Sequence, residues 1–247
     1  MPSSPTGSPR IRRSRSTTSP TATPRRPGRP SADAPPGARS RGWDTRTKKS
    51  IRAVQQDSEA VQHERRLFAD AIADIADERL IYVDESGVAP GQRLGYGYAR
   101  RGERAREAAP YRARGRVNLI GAIGLGGGAV QSYPVNVRAV IFEHFVSTAL
   151  VPLLTSASVV VWDNARVHSA KARAMVEEAG ARVLAQPRYS PDKNAIELAW
   201  SKVKQSVRTS RADTPEALEM ALGAAVASVN EGDLAGWLRH VRRPQPN

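Results

Sequence analysis

The sequence predicts an α/β domain in which a mixed β-sheet is flanked by helices, preceded by a disordered basic arm. Short apolar runs alternate along the chain with amphipathic segments, in the order strand, hairpin, helix, strand, helix, strand, helix, helix. A mixed order of this kind requires a central sheet with helices packed against it. Two of the apolar runs also end in aspartate. Because ligands of open α/β sheets gather at the carboxyl ends of strands, a functional site is expected there.

The arm is predicted from an uneven distribution of charge. The 247 residues carry 38 Lys and Arg against 24 Asp and Glu, a net charge of +14. Residues 1–50 hold 12 of the basic and 2 of the acidic residues, so they contribute +10 and the remainder +4. Such an arm attracts nucleic acid first and an anionic membrane surface second, although a solvated tail explains the composition equally well.

Residues 1–47 are rich in Arg, Pro and Ser and contain very few bulky apolar side chains, which predicts disorder. They show no apolar periodicity that would form a helix-turn-helix. Arg26 to Pro30 is similar to a minor-groove arm of the AT-hook kind. The chain has no cysteine and no apolar run near the ~20 residues of a membrane helix. We therefore expect no disulfides, no thiolate metal site and no membrane partner, and a cytoplasmic location.

From residue 48 onward, each element is predicted from its apolar spacing. Residues 48–78 form a linker region with a helix over 57–78, because Val61, Phe68, Ile72 and Ile75 share one face. An apolar strand over 80–83 ends in Asp84. An Arg- and Gly-rich loop or ribbon follows. The remaining predicted elements are a hairpin over 117–135, helices over 138–154, 169–178, 195–208 and 215–229, and strands over 158–162 and 183–184.

Three carboxylates stand out at the ends of these elements: Asp84, Asp163 and Glu197. Each has an ordinary explanation alone, since an aspartate after a strand favours a turn and Glu197 follows Asn194 as in a capping box. Together they are typical of a site for hard divalent cations, which prefer oxygen ligands. Two such ions would serve phosphodiester displacement. Glu85 points to the opposite face of its strand from Asp84, so only one of the two enters a shared site.

Three acidic motifs give the sequence a resemblance to a known family. The first is Val-Asp-Glu-Ser-Gly at residues 83–87, and the second is Trp-Asp-Asn-Ala-Arg-Val-His at 162–168. The third lies within residues 187–204 and contains the uncommon string Tyr-Ser-Pro-Asp-Lys-Asn-Ala-Ile-Glu, whose glutamate follows Asp163 by 34 positions. The chain from about residue 48 to 211 resembles bacterial insertion-sequence transposases of the mariner-like superfamily, which carry a DDE-type endonuclease domain.

The resemblance implies a ribonuclease-H-like core over residues 79–211, followed by C-terminal helices over 212–247. It also implies that Asp84, Asp163 and Glu197 bind two divalent metal ions, Mg²⁺ or Mn²⁺. Asn164, His168 and Asn194 would support them, although a structural hydrogen bond is the simpler role for His168. The implied activity is cutting at element ends and attack of the freed 3′-hydroxyl on target DNA. The implied setting is a homodimer on paired ends, associated with a bacterial nucleoid.

Two departures from the family pattern affect these expectations. Ala195 stands where the family usually has proline, and Lys193 where it usually has an apolar residue, so a less rigid loop before Glu197 is expected. The absent helix-turn-helix predicts a copy without its end-recognition domains, defective in transposition. A DNA-binding remnant, a nuclease of the same fold and a basic scaffold protein therefore stay open as alternatives.

Basic residues near the motifs predict a DNA-facing surface. Lys204 and Arg208 lie seven and eleven positions after Glu197, on the same side of the predicted helix, where a plain solvated face is the alternative. Seven arginines and three tyrosines cluster around residues 96–116. From these two groups, the candidates for DNA contact are Arg100, Arg101, Arg104, Lys204 and Arg208.

Overall fold

The computed structural model describes residues 53–100, 102–110 and 115–243. The described residues from Val54 onward belong to one compact unit. The arm predicted over residues 1–47, with its lack of a helix-turn-helix, lies outside the described residues. So does Arg101, one of the candidates for DNA contact.

A five-stranded mixed sheet forms the centre of the molecule, as the sequence predicts. Its strands are β1 (Leu80–Val88), β2 (Val117–Gly124), β3 (Gly127–Tyr133), β4 (Val159–Trp162) and β5 (Arg182–Ala185). The spatial order is β3-β2-β1-β4-β5. The first three strands are antiparallel neighbours, whereas β4 and β5 run parallel to β1. The sheet therefore changes from antiparallel to parallel at β1, which has one neighbour of each kind.

In the described residues, six α-helices surround the sheet: α1 (Glu59–Ala73), α2 (Ala139–Phe145), α3 (Ala170–Glu178), α4 (Ala195–Ser210), α5 (Pro215–Ala227) and α6 (Glu231–Arg242). After α2 the chain continues in a π-helical and a 3₁₀ turn up to Leu153. Side-chain caps begin several helices, and α6 starts with a full capping box between Asn230 and Asp233. Helix α6 lies within residues 212–247, where C-terminal helices are expected from the sequence, although individual bounds are predicted only for the helix over 215–229. No helix in the described part of the chain is long and apolar enough to cross a membrane.

The two faces of the sheet carry separate cores, because side chains alternate along each strand. Leu80 and Tyr82 of β1 pack with α1, α4, α5 and α6 on one face. Ile81 and Val83 pack with α2 and α3 on the other. Two tryptophans are almost fully buried, one in each layer: Trp200 on the α4 face and Trp162 on the α3 face.

Strand β1 is longer than predicted. The sequence analysis ended it at Asp84, whereas it continues to Val88. The continuation is stabilised by antiparallel pairing with β2, in which Asp84 stands opposite Gly121 and Val88 opposite Val117. Parallel pairing with β4 stops earlier, at Tyr82. Asp84 therefore lies within a strand, at the point where one of its two neighbouring strands has ended.

Candidate active site

The parallel pairing of β1 and β4 brings two of the candidate carboxylates together. Tyr82 stands opposite Val161, so Asp84 and Asp163 occupy equivalent positions two residues further along. Adjacent strands of a sheet lie about 4.8 Å apart, which is the approximate separation of the two backbones at this point. Asp84 follows Leu80 and Tyr82 on the face that α4 covers. Asp163 is the first residue after β4.

The third carboxylate, Glu197, lies in the first turn of α4. Ile196 and Trp200 of this helix pack onto Gly121, the β2 residue paired with Asp84. A methyl group at Gly121 would lie 2.7 Å from Trp200 Cη2 and 3.2 Å from Ile196 Cδ1. The missing side chain of Gly121 therefore lets the start of α4 approach the sheet beside Asp84. From the sequence, Gly121 has no role beyond its place in the hairpin predicted over residues 117–135.

The three carboxylates lie close enough for their charges to interact. Burial raises the pKa of Asp84 to about 7, together with the negative charges of Glu197, Glu85 and Asp163. Burial also raises the pKa of Glu197, although more than a third of this residue is exposed. Lys204 opposes that rise and Asp163 adds to it. Negative charge is therefore concentrated around these three carboxylates, which favours the binding of a cation there.

Glu197 does not serve as the partner in a capping box. Asn194 is the N-cap of α4, and its side chain accepts from the backbone N–H of Ile196 at 3.4 Å. The backbone N–H of Asn194 instead donates to the carbonyl of Pro191 at 3.0 Å. Within the described residues, the carboxylate of Glu197 has no hydrogen-bond or ion-pair partner. The capping-box explanation for this glutamate therefore fails, and its carboxylate is available for a ligand.

The loop before Glu197 is held by α1. Arg65 donates two hydrogen bonds to the carboxylate of Asp192, at 2.8 and 2.7 Å. Glu64 binds Arg188, with the shortest contact to the guanidinium at 2.6 Å. Between them, Tyr189 takes the left-handed backbone conformation at φ 53°, which is uncommon outside glycine. Two ion pairs on one helix therefore flank the strained residue of the third motif.

Lys193 fixes the same loop from the other side. Its side chain is buried, and its ammonium group donates to the carbonyls of Val241 and Arg243 at 3.3 and 3.4 Å. These carbonyls belong to the C-terminal end of α6, where a positive charge is favoured. The expectation of a less rigid loop did not include this contact. Lys193 provides an anchor to α6 in place of apolar packing.

The donor set fits a hard divalent cation in its chemistry. All three candidate ligands are carboxylates, they come from separate elements, and the pKa of Asp84 is raised because negative charges converge there. Within the described ranges, no three His, Cys, Asp or Glu side chains are grouped tightly enough to hold one ion as they stand. The carboxylates would have to turn towards one another to share a cation. Rotation of these side chains is possible because Asp163 and Glu197 are both partly exposed.

His168 lies behind Asp163 on the opposite face of the sheet. Its Nδ1 is 2.7 Å from the backbone oxygen of Asp163, and its Nε2 is 3.0 Å from Glu85 Oε1. The backbone oxygen of Asp163 can only accept, so Nδ1 donates to it, and Nε2 donates to the carboxylate of Glu85 when the ring is doubly protonated. Burial lowers the pKa of His168, but the hydrogen bonds and charges of Glu85 and Asp163 outweigh it and raise the pKa overall. The sequence analysis gave Glu85 no role of its own.

Asn164 and the basic candidates have different surroundings. Asn164 donates to the carbonyl of Gln186 at 3.2 Å, which connects the ends of β4 and β5. Lys204 lies close enough to Glu197 for its charge to lower the pKa of that carboxyl. Arg208 stands in the last turn of α4. Arg100 and Arg104 are exposed on the segment between β1 and β2.

That segment is attached to the C-terminal end of α4. Gly91 N–H donates to the carbonyl of Ala212 at 2.8 Å. Arg93 pairs with Asp213 at 2.8 Å, and Arg211 pairs with Glu107 at 2.7 Å. Both ends of the segment are therefore held just beyond Arg208. In this way the structure connects the two groups of candidate DNA contacts, which are distant in sequence.

A mixed sheet of this order, with acidic residues on its two central parallel strands and on the helix that crosses them, defines the ribonuclease-H-like class. Residues 79–219 match a family model described as "DDE superfamily endonuclease". This match covers more than half of the 247 residues. The chain therefore belongs to the DDE superfamily endonucleases.

Solved structures of Mos1 transposase share the fold. The "crystal structure of a pre-cleavage Mos1 transpososome" aligns with a TM-score of 0.64 at 18% identity, over 80% of this chain and 64% of that chain. The "Mos1 transposase paired-end complex with left transposon end" gives 0.63 at 18% identity, with the same coverage. The "catalytic domain of Mos1 mariner transposase" gives 0.55 at 13%, over 79% of this chain and 92% of that one.

These comparisons show the fold of the described domain. This chain spans about 64% of the length of the Mos1 chains in the paired-end and pre-cleavage complexes. It spans most of the isolated Mos1 catalytic domain. No curated protein shows significant similarity to the chain. The chain thus carries a DDE endonuclease domain with the fold of the Mos1 catalytic domain.

Proposed function

We propose that this chain is the catalytic part of a DDE-type transposase, in which Asp84, Asp163 and Glu197 hold two divalent metal ions for DNA cleavage and strand transfer. One observation carries the proposal. Three carboxylates from β1, the end of β4 and the start of α4 influence one another's charge, and Glu197 among them has no structural partner in the described residues. Solved Mos1 paired-end complexes with Mn and with Mg are consistent with divalent metals.

Each residue of the proposed site would have a distinct role. Asp84 lies within β1, Asp163 directly follows β4, and Glu197 approaches from α4. Bound there, two divalent ions would activate the attacking oxygen and stabilise the leaving oxygen of a phosphodiester. Lys204 lies about two turns along α4 from Glu197, close enough for its charge to lower the pKa of that carboxyl, and Arg208 lies one turn further on, so both would contact backbone phosphates of the DNA.

The decisive experiment measures cleavage of supercoiled plasmid with Mg²⁺ or Mn²⁺, together with Mn²⁺ binding by calorimetry. We compare the native chain with Asp163→Ala and Glu197→Ala. Both variants should lose metal-dependent nicking and joining, because each removes a charged oxygen ligand. The control is Glu219→Gln, which neutralises an exposed acid on α5 and should leave both readouts unchanged.

The products separate the remaining alternatives. Joined DNA would exclude a nuclease of the same fold that only hydrolyses its substrate. Mn²⁺ binding that the triad substitutions remove, without any cleavage, would indicate a competent metal site in a chain that requires further DNA-recognition segments. A native chain that neither cuts DNA nor binds Mn²⁺ would refute the metal site and favour a DNA-binding remnant.

The biological setting is part of the proposal. The resemblance of the third acidic motif supports a bacterial insertion sequence as the source of the gene, and a DNA partner is consistent with a location in the cytoplasm with the nucleoid. The solved Mos1 structures include paired-end complexes, which supports a homodimer on two element ends. Light scattering of the chain with and without DNA would test the dimer.

A further inference from the structure

Behind Asp163, on the sheet face opposite to Glu197, Glu85 and His168 form a hydrogen-bonded pair. His168 Nε2 lies 3.0 Å from Glu85 Oε1, and His168 Nδ1 lies 2.7 Å from the backbone oxygen of Asp163. The side chain of His168 is only 3% exposed and that of Glu85 21%. The imidazole therefore connects β1, through Glu85, with the residue that follows β4.

Aromatic packing fixes the position of the imidazole. Its ring stacks on Trp162 at a centroid distance of 5.2 Å and an interplanar angle of 28°. Phe142 of α2 contacts the same ring at 4.3 Å. Both aromatic side chains are buried in the core of this face. His168 thus has little freedom to turn, and the two hydrogen bonds of its ring have a defined direction.

Asp163 needs such a support because the strand ends before it. The last residue of β4 is Trp162, whose carbonyl accepts a hydrogen bond from the backbone N–H of Gln186 at 2.8 Å. The next carbonyl, that of Asp163, accepts from His168. The side chain of Asp163 accepts from Ala165 N–H at 2.8 Å and lies 3.2 Å from His168 Nδ1. Both the backbone and the carboxylate of Asp163 therefore depend on this turn.

We propose that Glu85 and His168 are positioning residues, which hold the backbone and the turn of Asp163 in the place from which its carboxylate can reach a shared cation. The proposal rests on the proposed function for the cation, whereas the hydrogen-bond chain from Glu85 through His168 to Asp163 is independent of it. Groups behind metal ligands commonly fix their orientation, and losing them weakens metal binding about 10- to 100-fold. The adjacent residues Asp84 and Glu85 thus act on the same site from opposite faces of β1.

The test uses the full chain and two readouts. The first is the exchange rate of the Ala165 backbone amide, measured by NMR, because this amide donates to the carboxylate of Asp163. The second is Mn²⁺ affinity by calorimetry. In His168→Ala and Glu85→Ala, the Ala165 amide should exchange several-fold faster and Mn²⁺ should bind about 10- to 100-fold more weakly. Glu85→Gln should retain most of the slow exchange of the Ala165 amide and most of the Mn²⁺ affinity, because the glutamine side chain still forms a hydrogen bond with the ring.

A matched control is available on the same face. Glu143 of α2 accepts from Ser169 Oγ at 2.7 Å and pairs with Lys171 at 3.1 Å, without touching Asp163. Glu143→Ala should lower the melting temperature to a similar degree as Glu85→Ala, but leave the Ala165 amide and Mn²⁺ affinity unchanged. This control separates positioning of Asp163 from a general loss of stability.

The outcomes distinguish the two proposals. Unchanged Ala165 exchange in Glu85→Ala and His168→Ala, or equal effects in Glu143→Ala, would overturn the positioning role. If His168→Ala does not fold, the comparison of Glu85→Ala with Glu85→Gln decides. A native chain that binds no Mn²⁺ would overturn the proposed metal site, and the exchange rates alone would then decide whether the pair positions Asp163.

Discussion

At the scale of single residues, the hydrogen bonds around Glu197 indicate which role this glutamate has. An acidic residue in the first turn of a helix stabilises that helix in two ordinary ways, by closing a capping box and by its interaction with the helix dipole. The backbone N–H of Asn194 donates to Pro191, so the first of these is absent. The carboxylate instead shares the neighbourhood of Asp84 and Asp163. Its place in the candidate site is therefore a property of the folded chain.

Gly121 is the residue on which this arrangement depends. In Gly121→Ala, the added methyl group would meet the Trp200 ring at 2.7 Å, so α4 or the ring must shift. Overpacking of a buried contact of this kind costs about 1–3 kcal/mol. We expect that loss in urea unfolding, together with weaker Mn²⁺ binding, because the start of α4 carries Glu197.

Gly126→Ala is the control for this prediction. Gly126 lies in the turn between β2 and β3, and a methyl group there meets no atom within 4 Å. Its effect should stay within about 0.5 kcal/mol. Equal stability and equal Mn²⁺ affinity in the two variants would show that α4 does not need the space at Gly121.

At the scale of elements, α1 and α6 hold the loop that precedes Glu197 from two sides. Arg65 and Glu64 of α1 bind Asp192 and Arg188, and the buried Lys193 donates to the C-terminal end of α6. Arg242 of α6 also donates to the carbonyl of Ile72 at the end of α1. The C-terminal helix therefore stabilises the site although it contributes no ligand.

The Arg65–Asp192 pair gives a prediction with a defined pH dependence. Burial raises the pKa of Asp192, but the hydrogen bonds and charge of Arg65 outweigh it, so the pKa is lowered overall. A carboxyl with a lowered pKa stabilises the fold above its unfolded-state pKa, about 3.9, and loses this contribution as the pH falls through the folded pKa. Asp192→Asn should therefore cost about 1–3 kcal/mol at pH 7, and the difference should shrink below about pH 4.

Urea unfolding of both proteins at several pH values measures this difference. Asp70→Asn, at an exposed position of the same helix as Arg65, is the control and should show no such pH-dependent difference. A destabilisation by Asp192→Asn that persists unchanged at acidic pH would contradict the electrostatic explanation.

At the scale of the whole molecule, the basic candidates lie on two elements that are attached to each other. Lys204, whose charge lowers the pKa of Glu197, and Arg208 lie on α4. The attached segment between β1 and β2 carries Arg100 and Arg104. A DNA backbone that enters the candidate site along α4 would therefore meet positive charge along its path.

This arrangement predicts a change in salt dependence. Each phosphate contact that is lost lowers the slope of log affinity against log salt by about 0.9 for duplex DNA. Lys204→Ala should reduce the slope of DNA binding by about that amount, in fluorescence anisotropy at several salt concentrations. Lys171→Ala removes an exposed lysine on α3, across the sheet, and should leave the slope unchanged. Equal slopes for native chain and Lys204→Ala would remove Lys204 from the DNA surface.

Much of the architecture followed from local patterns in the sequence. Short apolar runs over residues 158–162 and 183–184 located β4 and β5, because strands of this kind end at polar residues or prolines. The helices predicted over 169–178 and 215–229 correspond to α3 and α5. The order of these elements required a mixed sheet, which the structure confirms. The spacing of the acids and the third motif also indicated the family to which the chain belongs.

Other features depended on contacts between residues far apart in the chain. The extension of β1 to Val88 required pairing with β2, and the space for α4 required Gly121 opposite Asp84. The pairing of Glu85 with His168 spans 83 positions, and that of Arg65 with Asp192 spans 127. Local propensity reports on the nearest few residues, whereas hydrogen bonds and packing between elements depend on register and distance in the folded chain. The sequence therefore predicted the elements and the candidate ligands, and tertiary contacts determined how those ligands are supported.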